Sequence, residues 1–482
     1  MKKNILQIKF IIIGVLLLGF ASCEEFLNVN DNPNEATKPS TSGLLANAIY
    51  QTFDINTTVA DITSLYVQHL AGPSPSNTDK QFAVYLDATW FSVYKLLADL
   101  QVLEELAQEQ EEPFYEGVAK ILTAANLGLA TDLWGDIPYS EALQGALNTQ
   151  PKFDTQQQLY GSIQTLLNEA ITVLNSAENV KKFEDFVHQG DPQAWIKTAY
   201  ALKARYLNHL TKKADYKPAD VLDAVSKAYS SNNDDAQMFY TDEDKSHWTY
   251  LVQYMDAGYI DGYFSDQFIK TMDGTYYPSV GVDPRLLQIS EPISVGKDLD
   301  GKYRGTVNGK GFPSDGRGFS KFTYHTWYAR PTSPILLITN AEVNFIEAEA
   351  ALLSNNKDKA YQAYMDGIKA NMDKLGVPAA NRDAYVALPE IAVGKDNLTL
   401  SRIMHEKWIA LFVQPEAWTD ARRFDYKYAN IAVPFDHNPS LQGNFIRRIL
   451  YPETERSRNG NNVPKLTGIA DGLGSTLWWD TK

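Results

Sequence analysis

The chain has 482 residues, 44% of them hydrophobic, with 59 Asp+Glu against 44 Lys+Arg and a formal net charge of −15. That length can bury a sizeable core without covalent staples. So acidic a surface repels phosphate backbones, and with no basic aromatic stripe in the sequence it excludes nucleic acid as a partner.

Residues 1–22 read as a secretory signal. Lys2, Lys3 and Lys9 form a basic start, and the apolar run from Phe10 to Phe20 has 11 residues, too few for an ordinary membrane-spanning helix. The run ends in Phe20-Ala21-Ser22-Cys23, which resembles a lipoprotein processing site in which the chain's one cysteine becomes the acylated N-terminus. Acyl chains contribute about 0.8 kcal/mol per buried methylene, so this reading anchors the mature chain to a membrane without a span. Cys23 used in that way leaves no thiol for a disulfide, a metal site or a nucleophile. Removing residues 1–22 takes away three lysines and no acid, leaving 41 basic against 59 acidic residues. Residues 23–43, including Asn30-Asp31-Asn32-Pro33-Asn34, form a polar, turn-prone tether before a first helix expected near Leu44.

Helical periodicity then dominates. Over 90–107, Val93, Leu96, Leu97, Leu100, Leu103 and Leu106 share one face; over 115–134, Val118, Ile121, Leu122, Ala125, Leu129 and Leu133 do the same, and Gly135 and Pro138 stop the run. The clearest 3.6-residue pattern is 159–174, with Leu159, Ile163, Leu166, Leu167, Ala170, Ile171 and Leu174 on one side. Further helices are expected over 194–210, 219–229, 340–353, 357–375 and 400–412. Short links and alanine at contact positions resemble stacked helix pairs of the tetratricopeptide kind, without that class's clean repeat period. The fold expected is therefore mainly α, with a helix-pair scaffold over 44–239 and 340–424 and an irregular tail, 434–482, packed back across it.

Between the two scaffold halves lies an insert, 240–330. Its 91 residues hold 17 aromatics, about 19% against 12% for the chain, and 11 of the 29 glycines. Loop-rich backbone that presents Trp and Tyr suits a binding face held by a packed scaffold. The alternative is a loop layer that closes the helical core.

Catalytic and metal signatures are sparse. His405-Glu406 lacks a second histidine at zincin spacing, no G-x-S-x-G occurs, and the glycines from Gly309 to Gly318 do not match a phosphate loop. Asp298-Leu299-Asp300-Gly301 matches part of a calcium loop but lacks the later bidentate Glu. No metal, cofactor or catalytic residue is assigned, although 59 acids always offer candidate carboxylate pairs for a glycosidase.

Four stretches, in order along the chain, carry a resemblance: CEEFLNVNDNPNEAT (23–37), TDLWGDIPYSEAL (131–143), EKWIALFVQPEAWTDARRF (406–424) and RILYPETERSRN (448–459). Together they resemble the SusD/RagB family of outer-membrane lipoproteins of the Bacteroidetes, and the terminal LWWD is similar to the branch with NDNPN after the lipid cysteine. Each stretch also has a structural reading. Asp132 and Asp136 can accept backbone bonds at the corner after Trp134. Glu406, Glu416, Asp420, Arg422 and Arg423 can form an ion-pair network under the apolar face of Ile403, Met404, Trp408, Leu411 and Phe412.

The resemblance implies one SusD-like domain over 44–482 on the cell surface, lipid-anchored to the outer membrane, with Glu24 and Glu25 as an acidic export signal. It implies a nutrient-binding protein that captures oligosaccharide, or peptide in some branches, and sits over a SusC-like TonB-dependent barrel transporter. A surface glycan-degrading enzyme and a scaffold that binds only protein are the competing readings.

Sugar binding needs little chemistry. One pyranose face stacks on an aromatic ring while polar neighbours direct the hydroxyls. Burying roughly 60 Å² at about 25 cal/mol per Å² contributes about 1.5 kcal/mol per platform. Three platforms correspond to dissociation constants from about millimolar to high micromolar. The candidates are Trp248, Tyr250, Tyr276, Tyr277, Trp327 and Tyr328 with His247 and His325, joined by Tyr66, Gln68 and His69 ahead of the Gly72-Pro73-Ser74-Pro75 loop.

Overall fold

The computed structural model describes residues 39–180, 185–241, 243–249, 252, 263–293 and 301–482. Cys23 and the rest of the signal and tether before Pro39 lie outside these residues, as do Tyr250 and Asp298 to Asp300.

Helix α1 (Thr41–Tyr66) opens the described chain and strand β1 (Leu70–Ala71) follows it. Next come α2 (Asp87–Glu109), α3 (Pro113–Trp134), α4 (Gln156–Leu174), α5 (Pro192–Asn208) and α6 (Pro218–Ser226). Local sequence explains several starts. Proline begins α3, α5 and α6, where its missing N–H is no loss, and Thr155 with Gln158 closes a reciprocal capping box on α4. Each helix packs on the next, and α3 is buried on nearly all sides because α1, α2, α4 and α5 surround it. Gly128 permits the closest of these approaches, since a Cβ there would lie 2.2 Å from the Tyr206 ring.

Strand β2 (Ala236–Met238) leads out of the scaffold into the insert, which contains β3 (Tyr263–Phe264), α7 (Asp266–Met272) and α8 (Leu286–Ile289), and β4 (Ile335–Ile338) leads back. Because β4 pairs antiparallel with β2, the insert leaves and re-enters through one two-stranded sheet. A second small sheet pairs β1 antiparallel with β3, Leu70 opposite Phe264 and Ala71 opposite Tyr263. That pairing ties the loop after α1 to the insert. Helices α9 (Asn340–Leu353), α10 (Lys357–Leu375), α11 (Ala379–Val386), α12 (Leu400–Ala410) and α13 (Glu416–Arg423) complete the scaffold. Helix α9 docks on both α6 and α10, so the helical layer continues past the insert. The tail carries α14 (Glu453–Arg458) and 3-10 turns. It returns across the scaffold, where the Ile449 N–H donates to the Leu133 carbonyl and Trp479 is fully buried.

The mainly α scaffold matches the expectation, and the bounds of α9 and α10 coincide with it. The helices expected over 219–229 and 400–412 are shorter, ending at Ser226 and Ala410. In the second case Val413 takes φ +50° ahead of Pro415, which starts α13 on a new axis. The insert also holds helix, α7, which its seven-residue length hid from periodicity. Among the described residues, no helix is long and apolar enough to cross a membrane.

Charges in α12 and α13 are sealed in the core. Glu406 meets Arg285 at 2.7 Å, Lys407 meets Asp420 at 2.7 Å, and Arg423 meets Glu349 at 2.7 Å and Asp420 at 3.0 Å. Glu416 lies 2.8 Å from the His209 imidazole. Arg422 departs from the expected network. Its guanidinium donates to the carbonyls of Asp132 and Arg447 and lies over the Trp418 ring at 3.8 Å, so its contacts are dipoles and a π face.

Candidate functional site

Three loops meet on one side of the insert, and a buried carboxylate joins two of them. Asp79, after β1, accepts from the Gly309 N–H at 2.5 Å, the Asn308 amide at 2.6 Å and the Gly72 N–H at 3.3 Å. The same Asn308 amide donates to the Leu70 carbonyl, and its carbonyl oxygen accepts from Ser265, the N-cap of α7. The third loop joins through the backbone: the Phe435 N–H donates to the Asn308 carbonyl at 2.8 Å, while Phe312 N–H donates to the Pro73 carbonyl at 2.8 Å. Gly309 makes the crossing possible. It sits at φ +79°, and a Cβ would lie 2.0 Å from the Phe435 carbonyl oxygen.

On this base the segment 302–323 holds two abutting clefts of about 280 and 470 Å³, which share Arg317 and Phe319. Phe312 and Phe319 stack, with centroids 4.4 Å apart at 17°, and the Tyr263 ring meets Phe312 edge-on at 4.6 Å. Phe312 is 37% exposed. Polar groups surround the rings: Arg317 is paired with Asp315 at 2.6 Å, the Arg304 guanidinium donates to the Gly318 carbonyl, and Lys270 is paired with Asp266 at 2.6 Å. Lys310, on the wall of the larger cleft, holds its ammonium 5.7 Å from the Phe435 ring, which is 57% exposed. From Phe435 the chain runs to Asn438, which lines a third cleft of about 680 Å³ with Tyr85 and Arg456. Apolar ring faces beside directed donors are what a polyhydroxylated ligand requires.

The candidates chosen from sequence separate into buried and accessible groups. Trp248 is 2% exposed against Phe322, and Trp327 and Tyr328 pack on each other, Tyr328 also on Phe412. Tyr66, Gln68 and His69 are buried as well. All six side chains are enclosed by protein and pack beneath the surface as supports. Their support is specific. Gln68 exchanges two hydrogen bonds with the Ala432 backbone, fixing the chain that leads to Phe435, and His69 bridges the Trp408 carbonyl and the Val413 N–H at the end of α12. His247 pairs with Asp61, and Tyr277 is half-buried beside His405, its hydroxyl accepting from Asn430. His325 is exposed but is not among the described residues lining either insert cleft. Tyr276 stays accessible at the end of α7, next to Thr275 on the larger cleft, with its hydroxyl donating to Gln267. Tyr250 lies outside the described residues.

Phe312, Phe319, Tyr263 and Phe435 were not chosen from sequence. The available signal was the spacing of Phe312 and Phe319 around a glycine-rich turn, since such backbone holds little core and pushes its aromatics outward. In TDLWGDIPYSEAL, Asp136 accepts from the Gln156 N–H, as the structural reading expects, whereas Asp132 instead accepts from the Tyr160 hydroxyl, and Gly135 ends the helix at φ +83°, ψ −120°, outside the left-handed helical region. Among the described residues, no group of three or more His, Cys, Asp or Glu is gathered for a metal.

A family model described as "Starch-binding associating with outer membrane" matches residues 33–452. No curated protein matches the chain. Among solved structures, a chitin-binding protein is 25% identical, the match covering 92% of this chain and 100% of that one with a TM-score of 0.75. A chitin-binding SusD homolog from Flavobacterium johnsoniae is 21% identical, with 91% and 98% covered and a TM-score of 0.72. A SusD/RagB family protein from Bacteroides thetaiotaomicron is 21% identical, with 92% and 99% covered and a TM-score of 0.73. The last two likenesses concern the fold.

Proposed function

Because this chain belongs to the family of SusD-like proteins, we propose that it is a non-catalytic cell-surface lipoprotein that binds oligosaccharide and delivers it to a SusC-like, TonB-dependent barrel in the outer membrane. The observation that carries the reading is the stacked Phe312–Phe319 pair opening into two clefts whose rims carry hydrogen-bond donors. The names of the similar chitin-binding structures support a glycan as the ligand class. The anchor in this reading is Cys23, which the sequence pattern supports.

Capture follows from the geometry. A sugar ring lies on the Phe312 face, its hydroxyls meet donors from Arg304, Arg317 and Lys310, and the loops pinned by Asp79 hold these groups before the ligand arrives. Prior ordering lowers the entropy cost of binding. One or two platforms of about 1.5 kcal/mol each give weak, quickly reversed binding, which suits a protein that hands its ligand on.

The test is tryptophan-fluorescence titration of the full chain in nonionic detergent against polysaccharides, oligosaccharides and peptides, using its nine tryptophans as the signal. A saturable response to a glycan class is expected. A response to peptides alone would replace glycan by peptide as the cargo. Release of reducing ends from a polysaccharide would replace capture by hydrolysis.

A further inference from the structure

We propose that the cleft lined by Tyr85 and the tail is a second carbohydrate subsite, which takes the far end of the oligosaccharide held on the Phe312 side of the Phe435 strap, so that the protein favours long chains over short ones. The inference rests on the glycan-binding reading above and gives the ligand its length.

The cleft has the make-up of a sugar site. Its volume, about 680 Å³, falls within the range of about 300–1,000 Å³ usual for small-molecule sites. Leu450 and Leu473 give it buried apolar walls, while Ser440, Arg456, Lys465 and Asp471 bring exposed polar groups to it. Tyr85 is 44% exposed, yet its backbone is fixed by a parallel bridge to Leu450. A ring held in water by ordered backbone offers a face that packing has not used. The Arg456 guanidinium lies 5.1 Å from the centre of that ring and also pairs with the exposed Glu453, so a hydrogen-bond donor stands beside the platform. Part of the wall is strained as well. Ala470 and Asp471 take φ +54° and +55°, a left-handed conformation that side-chain-bearing residues rarely adopt and that collects where a ligand is clamped.

Continuity with the insert clefts makes one chain the occupant of both places. Lys310, on the wall of the larger insert cleft, has its ammonium 5.7 Å from the Phe435 ring, and Asn438 lines the Tyr85 cleft. From Phe435 to Asn438 is three residue steps, a reach of no more than about 11 Å even when fully extended. Both ends of this strap are pinned. The Phe435 N–H donates to the Asn308 carbonyl, Asp436 pairs with Lys80 at 2.5 Å, and Asn438 donates from its backbone to Lys80 and from its amide to the Gln81 carbonyl. Rings on either side of the strap therefore keep a fixed spacing before a ligand arrives. Once one end of an oligosaccharide is bound, contact at the other side is intramolecular and adds to the affinity.

The test uses the full chain in nonionic detergent and, as probes, the disaccharide and hexasaccharide of the chito-, cello-, malto- and xylo-oligosaccharide series. By isothermal titration calorimetry, in the series that binds, the hexasaccharide is expected to bind about tenfold or more tightly than the disaccharide, the contribution of one further ring platform. One hexasaccharide per chain is expected. Hydroxyl-radical footprinting of the unaltered protein should then show the hexasaccharide shielding both Phe435 and Tyr85 from oxidation. Tyr85→Ala is expected to remove most of the advantage of the longer probe, and Tyr85→Phe, which keeps the ring face, to retain it. The length dependence and the footprint are read on the unaltered protein, so a variant that fails to fold does not decide the matter. Equal affinity for the two lengths, an unshielded Tyr85, two hexasaccharides per chain, or a full length advantage in folded Tyr85→Ala would each overturn the spanning subsite and leave glycan binding standing. Failure of every series to bind would overturn both.

Discussion

Helices α12 and α13 and the segment 302–321 are both rich in arginine and lysine, and they use them in opposite ways. In the helices, Lys407, Arg422 and Arg423 are buried, and each is met by carboxylates, carbonyls or a ring that the fold itself supplies. In the segment, Lys302, Arg304, Lys310, Arg317 and Lys321 line open clefts. A charge in a low-dielectric interior must be met within hydrogen-bond reach, so its partners are permanent and it has nothing to offer a ligand. A charge facing water exchanges partners at little cost. Aromatics divide in the same way, Trp248 and Trp327 inside the insert and Phe312 and Phe435 on its rim. Burial, more than residue type, separates support from contact.

The largest effect should come from breaking a buried pair. Glu406→Gln leaves Arg285 with one carboxylate fewer in the core and is expected to cost about 3–5 kcal/mol, read as a fall in the urea midpoint at neutral pH. Burial alone would push the Glu406 carboxyl up, but Arg285 and Arg402 outweigh it and hold it at about 2, below its ordinary 4.5. Its stabilising contribution is therefore complete above about pH 4.5 and lost as pH falls toward 2. The unaltered protein should lose stability across that window, and the Gln variant should lose less. Equal acid sensitivity in the two would remove Glu406 from the account.

Next in size are the buried aromatics. Trp248→Ala and Trp327→Ala should each cost about 3–5 kcal/mol as cavities in the insert, less where neighbours relax. Ligand affinity of the folded fraction should not change, and a selective loss of affinity would return these rings to the contact surface. Gly309→Ala follows. At φ +79° and with Phe435 in the way, the substitution should cost about 1–3 kcal/mol and weaken ligand binding too, because it moves the Phe435 crossing. Binding at parental strength would mean that the crossing does not shape the site.

Sequence periodicity carried much of the scaffold because long amphipathic helices write their burial into every third or fourth residue. The stripe 159–174 and the coincident bounds of α9 and α10 show this directly. The insert is different. Its composition marks it as a binding-face candidate, but no period says which side of an irregular loop faces the core, so choosing its tryptophans favoured the residues most valuable for packing. Trp248 and Trp327 went inside for the reason that made them attractive, their large apolar area. His69 and Gln68 were conspicuous for being polar beside a loop, and the fold uses that polarity to tie backbone. What exposes Phe312 is not its own type but Gly309 and Gly311 beside it, whose crossings of Phe435 and Pro73 depend on contacts distant in sequence.

The smallest stability effect tests the division most sharply. Phe312→Ala removes a ring that is 37% exposed and stacked on one neighbour, so the urea midpoint should move by no more than about 1 kcal/mol of stability. If that ring is a sugar platform, the same change removes about 1.5 kcal/mol of binding, a weakening of about tenfold at constant fold. Phe312→Tyr keeps the face and should restore the affinity, whereas Phe312→Leu keeps apolar bulk without a flat π face and should restore only part of it. Full recovery with leucine would mean that the cleft reads volume alone. A normal affinity in Phe312→Ala would move the ligand across the Phe435 strap toward the Tyr85 cleft, where the Arg456 guanidinium already lies 5.1 Å from the Tyr85 ring.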